Sequence, residues 1–174
     1  MRETDMPQVP FSELPDHGRL WVFPLSRTLA GTEGEACLSV VDLFLERWAA
    51  HGMPLRSARA LLDDQFLLIG VDVDAEAPSG CSIDALVNQL RAMGQKIDIA
   101  FIDHSSVWYR KNGEVRTATR GVFRELAKAG DVDSQTHVFD TSLTRVGQYR
   151  AGNLEREAAA TWHGRAFFKN ALTA

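Results

Sequence analysis

The chain has 174 residues, 45% hydrophobic and 24% charged, which is the length and composition of a folded domain that can bury a core without disulfides or metals. Its net charge is −4, and no apolar run approaches the ~18 residues that a membrane helix requires. Membrane-spanning classes are therefore excluded, and a soluble protein without membrane partners is expected.

The N-terminus and the cysteines favour the cytoplasm. Residues 1–7 are polar and acidic, without the apolar core of a signal peptide. Cys37 and Cys81 stand far apart and form no CxxC or Cys/His cluster, which argues against a zinc site and against a secreted disulfide framework. We expect reduced thiols, no metal and no cofactor.

The first part of the chain predicts an irregular lead-in, a strand and a helix. Residues 1–18 contain three prolines and form the lead-in, with Phe11 and Leu14 packed down, whereas residues 20–23 suit a strand that ends at a proline. Residues 32–35 have the pattern of a capping box, in which a Thr hydroxyl and a Glu side chain satisfy free amides. The apolar residues that follow, from Cys37 to Trp48, have helical spacing and place Cys37 in the core, with Gly52 as the expected helix end.

The middle of the chain predicts a hairpin, a second helix and a further strand. Apolar runs at 58–62 and 66–71 flank a short polar break, and the second run, apolar without alternation, suits a strand buried on both faces. A helical stripe runs from Ile83 to Met93 and is closed by Gly94. Residues 97–102 are predicted to be a strand.

The last assignable part predicts a hairpin, a helix and a strand. Residues 107–110 and 115–118 flank an Asn-Gly pair, which is a strong hairpin signal because both residues tolerate positive φ. Thr119 can cap a third helix that carries Val122, Phe123 and Leu126 and ends at Gly130. A last strand is expected at 136–139, and residues 141–174 show no clear pattern.

This order of elements predicts an α+β fold with an antiparallel or mixed sheet and helices packed on one face. The first six elements have the order of a ferredoxin-like β-α-β-β-α-β core, to which the hairpin and third helix add a C-terminal extension. Residues 19–174 are expected to form a single domain.

One segment has the residues of a candidate site. Residues 79–84, Ser79-Gly80-Cys81-Ser82-Ile83-Asp84, lie where the second helix is predicted to begin. Free amides and the positive end of the helix dipole favour an anion there and lower a thiol pKa. Ser79, Gly80, Ser82 and Asp84 would then bind a small molecule or anion, and Cys81 would be a nucleophile or redox-sensitive thiol. In the alternative interpretation a serine caps the helix, Cys81 is an inert apolar plug and Asp84 only complements the dipole.

A cysteine nucleophile needs a histidine base that the fold brings close. The candidates are His17, His51, His104, His137 and His163. His104, at the end of a predicted strand, and His51, after the first helix, are the two singled out. The sequence contains no GxxxxGK[ST] loop, GxGxxG, HExxH or GxSxG, so the usual nucleotide, zinc-protease and hydrolase classes have no support.

A rival function rests on charge asymmetry. Residues 1–109 carry 8 Lys/Arg and 16 Asp/Glu, whereas residues 110–174 carry 11 and 7. A basic C-terminal third could make the protein a non-catalytic binding or scaffolding module for a protein or nucleic acid partner. Nucleic acid is the less favoured partner, because the basic residues are scattered and lack a recognition motif.

The chain resembles a family of uncharacterised bacterial proteins of about this length, some of which carry the label "ABC transporter ATPase". The similar segments are residues 14–22, 48–55 and 79–84 and, more loosely, Trp162-His163. The label implies a Walker A loop and a signature motif. Because the sequence has neither, ATP hydrolysis is not expected of it.

Overall fold

The computed structural model describes residues 7–169 and confirms the α+β class. The helices are α1 (Glu33–Leu45), α2 (Gly80–Lys96), α3 (Arg120–Ala129), α4 (Val146–Arg150) and α5 (Trp162–Phe167). The strands are β1 (Arg19–Pro24), β2 (Ala49–Ala50), β3 (Met53–Pro54), β4 (Ser57–Leu62), β5 (Phe66–Val71), β6 (Val107–Lys111), β7 (Glu114–Ala118), β8 (His137–Phe139) and β9 (Glu155–Glu157).

The described chain forms two compact units. The first holds residues 7–102 and 144–150, and the second holds residues 103–143 and 151–169. The single domain expected for residues 19–174 stays a prediction. None of the helices within residues 7–169 has the length and apolar character needed to cross a membrane.

The first unit is built on an antiparallel sheet with strand order β1-β5-β4. The predicted hairpin of β4 and β5 is confirmed, and its turn places Asp63 and Asp64 at positive φ. All six residues of β5 are buried, as expected for a central strand covered on both faces. The sheet therefore needs a layer on each side.

Different parts of the chain supply those two layers. On one face, residues of α1 (Cys37, Val41) and of α2 (Leu86, Leu90) pack in one core cluster with alternate residues of β5. On the other, the lead-in packs through the side chains of Leu14 and Phe11 against a small cluster that includes Ala58 and Val146. The predictions of helices on one face and of a packed lead-in are confirmed.

The strand predicted at 97–102 is wrong, and the ferredoxin-like core is therefore not confirmed. This segment makes only an isolated bridge, between Phe101 and Leu25. Asp98 has a positive φ, and the neighbouring Pro24 of β1 has no amide hydrogen with which to continue a ladder. The sheet accordingly stops at three strands.

Helix α1 begins after Thr32 as predicted, but the predicted capping bond and the predicted C-terminal end are wrong. Thr32 makes no capping bond; instead Glu33 accepts hydrogen bonds from the Ala30 amide at 2.7 Å and the Arg27 guanidinium at 2.8 and 2.9 Å. The hydrogen bond with Arg27 is the main cause that lowers the pKa of Glu33 to about 2, and the bond from the Ala30 amide adds to it. The helix ends at Leu45 rather than at Gly52, which lies in the turn between β2 and β3.

The second unit is a four-stranded antiparallel sheet with order β7-β6-β8-β9. The predicted Asn-Gly hairpin is confirmed, with both turn residues at positive φ, and Thr119 caps α3 by accepting from the Val122 amide at 3.2 Å. Phe123 is fully buried, but Val122 is 53% exposed, so its assignment to the apolar stripe is wrong. The strand expected at 136–139 is present as β8, although it is followed by β9.

Candidate functional site

The segment 79–84 begins α2, and its polar groups mainly cap that helix. Ser79 is the N-cap residue, and its hydroxyl accepts from the Ser82 amide at 3.2 Å. The Ser82 hydroxyl donates back to the Ser79 carbonyl at 2.8 Å, and the Trp48 indole donates to the Ser82 carbonyl at 2.7 Å. The helix start thus uses its serines internally, as in the capping interpretation.

Nothing in the backbone around Gly80 requires a glycine. It is not among the glycines with positive φ, and a Cβ atom at this position would meet nothing within 4 Å. Neither a strained turn nor a close approach explains the residue.

The two thiols differ in exposure. Cys37 is 1% exposed in the core, which confirms the prediction for this residue, and burial raises the pKa of its thiol. Cys81 is exposed in the first turn of α2, and Asp84 is exposed as well. Cys81 is therefore accessible, which contradicts the apolar plug of the alternative interpretation.

The histidines proposed as bases are both exposed. His51 lies in the β2–β3 turn of the first unit, and His104 lies in the second unit, where its Nδ1 is 3.3 Å from the Thr141 hydroxyl. Within the described residues of the first unit, no hydrogen bond or ion pair joins His51 to Cys81. A catalytic role for Cys81, His51 or His104 stays a prediction.

The second unit contains a polar cleft of about 310 Å³ that the sequence did not suggest. Its lining comes from the segment before β6, the start of α3, the end of β8 with the segment after it, and the start of α5. Beside the rings of Phe139 and Trp162 lie the polar and ionisable side chains that could bind a ligand: His104, Arg120, Asp140, Thr141 and His163. Charged, hydroxyl, imidazole and aromatic groups thus meet in one concave place.

Arg120 is the cation of this cleft. It is the first residue of α3, and its guanidinium carbon lies 5.0 Å from the centre of the Trp162 ring. Within residues 7–169 it makes neither an ion pair nor a hydrogen bond. An arginine held over an aromatic face keeps its planar fork available for a carboxylate or phosphate.

His163 is the buried base of the cleft. Its side chain is 1% exposed, and Nδ1 lies 2.8 Å from the Thr161 hydroxyl. That hydroxyl also donates to the Ala158 carbonyl at 3.1 Å and accepts from the His163 amide at 3.2 Å. All contacts are satisfied when Nδ1–H donates to Thr161, which leaves Nε2 as an acceptor.

Burial keeps this imidazole neutral. Desolvation is the main cause that lowers the pKa of His163 to about 4; the positive charge of Arg120 also lowers it, and the negative charge of Asp140 opposes the shift. Both charged side chains line the same cleft as His163. No hydrogen bond within the described residues reaches Nε2, although the residue lines the cleft.

The structure explains why α5 holds His163 so firmly. A Cβ atom on the next residue, Gly164, would lie 2.8 Å from the Ala158 carbonyl oxygen, so only glycine lets α5 approach the preceding turn this closely. Thr161 caps the helix by accepting from the His163 amide. The Thr-Trp-His-Gly run carries this information, but its helix is too short to give a periodic signal.

A larger cleft, of about 450 Å³, lies in the first unit. It is lined mainly by apolar side chains, among them Phe23, Leu90 and Phe101, with Arg91 and Gln95 as polar members. It offers apolar contact without a comparable convergence of charged and titratable groups. The cleft of the second unit is therefore the stronger candidate, despite its smaller volume.

Comparison of the chain with family models, curated proteins and solved structures finds no significant match. The resemblance to the bacterial family thus stays a prediction. No group of three or more His, Cys, Asp or Glu side chains suited to a metal occurs within the described residues.

Proposed function

We propose that this is a cytoplasmic small-molecule-binding protein whose ligand is a small organic acid, held in the cleft of the second unit with Arg120 as its counter-ion. The observation that carries the proposal is the guanidinium of Arg120, which lies over Trp162 and has no hydrogen bond or ion pair within the described chain. The two free cysteines support the cytoplasmic location.

The surroundings of Arg120 favour an anionic ligand. The cation–π contact orients the guanidinium, and an oriented fork loses less entropy when it forms two parallel bonds to a carboxylate or phosphate. The aromatic rings of Trp162 and Phe139 offer apolar surface beside it. Together they provide a charge anchor and a site for an organic skeleton.

Arg120→Ala should weaken binding of small organic acids by about 10- to 100-fold, the loss expected for a hydrogen-bonded charge pair of roughly 1.5–3 kcal/mol. A panel of small carboxylates, amino acids and inorganic phosphate, screened by thermal shift and measured by titration calorimetry, checks this. Arg124→Ala is the matched control, because Arg124 lies on the same helix as Arg120 but does not line the cleft. Its guanidinium carbon also lies over an aromatic ring, 5.7 Å from the centre of Phe167.

Equal losses in the two variants would contradict a specific role for Arg120. A panel with no binding member would overturn the proposed function itself.

The second candidate is a reactive-thiol or small-ligand site formed by residues 79–84, and the exposure of Cys81 favours it. We expect iodoacetamide at neutral pH to label Cys81 and spare Cys37 in the folded protein, because Cys37 is buried and its pKa is raised. Mass mapping of the labelled peptides measures this, with Cys81→Ser as the control that should remain unlabelled. Preferential labelling of Cys37 would refute the candidate.

The binding or scaffolding module remains a further proposal with weaker support. Several basic side chains of the C-terminal third are engaged by neighbouring acids: Arg110 by Glu155 at 2.6 Å, and Lys128 by Glu125 at 2.8 Å. Such pairing reduces the positive charge available to a nucleic acid or an acidic partner.

A further inference from the structure

We infer that the ligand of this cleft is a zwitterion, a small α-amino acid whose carboxylate binds Arg120 and whose ammonium group binds Asp140 and His163. The inference rests on the proposed function and adds the chemical class of the ligand. It is carried by the second charge of the cleft and by the buried imidazole, neither of which a simple anion would satisfy.

Asp140 supplies the negative end of the site. Its Oδ1 accepts from the amide and the hydroxyl of Ser142, at 3.1 and 2.5 Å, so the carboxylate is fixed by its own turn. Within residues 7–169 no hydrogen bond reaches Oδ2. This carboxylate would repel a ligand with only negative charge in the cleft, whereas it would attract an ammonium group.

His163 offers a hydrogen-bond acceptor to the ligand. The bond between Nδ1 and Thr161 leaves Nε2 as a lone-pair acceptor on a side chain that is 1% exposed. A buried acceptor without a donor weakens binding of any ligand that removes its water. A carboxylate cannot donate to it, but an ammonium group can, and with three hydrogens it can bond to Asp140 at the same time.

The charges of Arg120 and Asp140 match the two ends of a zwitterion, the carboxylate and the ammonium group. Arg120 and Asp140 both lie near His163 and act on it in opposite senses. A zwitterion satisfies both charges and leaves the sum of charges in the cleft unchanged on binding. A volume of about 310 Å³ is at the lower end for ligand pockets, which suits a ligand of this size.

Matched triads test the inference. Each triad contains an amino acid, the acid that lacks its amino group and the amine that lacks its carboxylate: L-leucine, 4-methylpentanoate and isopentylamine, then L-phenylalanine, 3-phenylpropionate and phenethylamine. Titration calorimetry on the full chain should show, for at least one triad, that the amino acid binds at least tenfold more tightly than either relative.

Variants assign the two ends. Asp140→Asn should reduce affinity for the amino acid at least tenfold, and affinity for the deaminated acid should stay the same or rise because a repelling charge is removed. Arg120→Ala should weaken both. His163→Asn, which can still donate to Thr161 but loses the Nε2 acceptor, should act like Asp140→Asn, while His163→Gln, which can present an acceptor near Nε2, should retain more of the preference. Unchanged thermal midpoints identify the variants that are folded.

The outcomes separate the two proposals. If the deaminated acids bind as tightly as the amino acids and Arg120→Ala abolishes both, the zwitterion inference fails and the proposed function stands. If amino acids bind but folded Asp140→Asn and His163→Asn leave the preference unchanged, the assignment of the ammonium site is overturned. If no member of any triad and no phosphate binds, both proposals fail.

Discussion

Gly94→Ala is expected to destabilise the first unit by roughly 1–3 kcal/mol, the usual cost of forcing an extra group into a packed position. A Cβ atom at Gly94 would lie 2.6 Å from the carbonyl oxygen of Ile99, and this neighbour is backbone that cannot rotate away. The Gly94 carbonyl also accepts from the Ile99 amide at 2.9 Å, so displacement of the return loop would strain that bond. Chemical denaturation with the parent as reference measures the effect.

Gly80→Ala is the matched control in the same helix. The position is open, and alanine has the better helix propensity, so the change should be neutral or stabilising by up to about 1 kcal/mol. If Gly94→Ala melted like the parent, the close packing of the loop on α2 would be refuted. A costly Gly80→Ala change would contradict the open surroundings of Gly80 in the structure.

Features of the fold that depend on neighbouring residues could be predicted from the sequence, whereas those that depend on tertiary contacts could not. The hairpin of β4 and β5, the Asn-Gly hairpin and the cap at Thr119 could be predicted because each depends on a few neighbouring residues. The apolar pattern of residues 97–102 could not show that no strand forms there, because the cause lies in another segment. The end of β1 at Pro24 cannot continue the ladder beyond an isolated bridge. Close contacts such as that of Gly94 with Ile99 are likewise tertiary.

The candidate site was less accessible to prediction than the fold. The segment 79–84 could be predicted as a candidate site because a helix start lowers the pKa of a neighbouring thiol, which is a local effect. The cleft depends on Arg120, Asp140 and His163, which are separated by 20 or more residues and join only in the folded second unit. The resemblance included Trp162-His163 loosely, but no periodicity in residues 141–174 indicated that the histidine would be buried.

His163 should make the protein less stable as the pH falls from about 6.5 to about 5, by roughly 2 kcal/mol. The unfolded imidazole takes up a proton near its ordinary pKa of 6.5, whereas burial lowers the pKa in the folded state to about 4. The unfolded chain therefore binds more protons across this window, and stability is full above it and declines as the pH falls. Urea denaturation at pH 7, 6 and 5 measures the slope.

His163→Gln should flatten that slope, and His104→Gln, a change at an exposed histidine of the same cleft, should preserve it. Carboxylates with lowered pKa values, such as Glu33 beside Arg27 and Glu155 beside Arg110, lose their stabilisation mainly below about pH 5, because their unfolded pKa values lie near 4. Their titration is common to both variants and cancels in the comparison. An imidazole of His163 that titrates near 6.5 by NMR would show that the ring is solvated and would remove the neutral acceptor from the cleft.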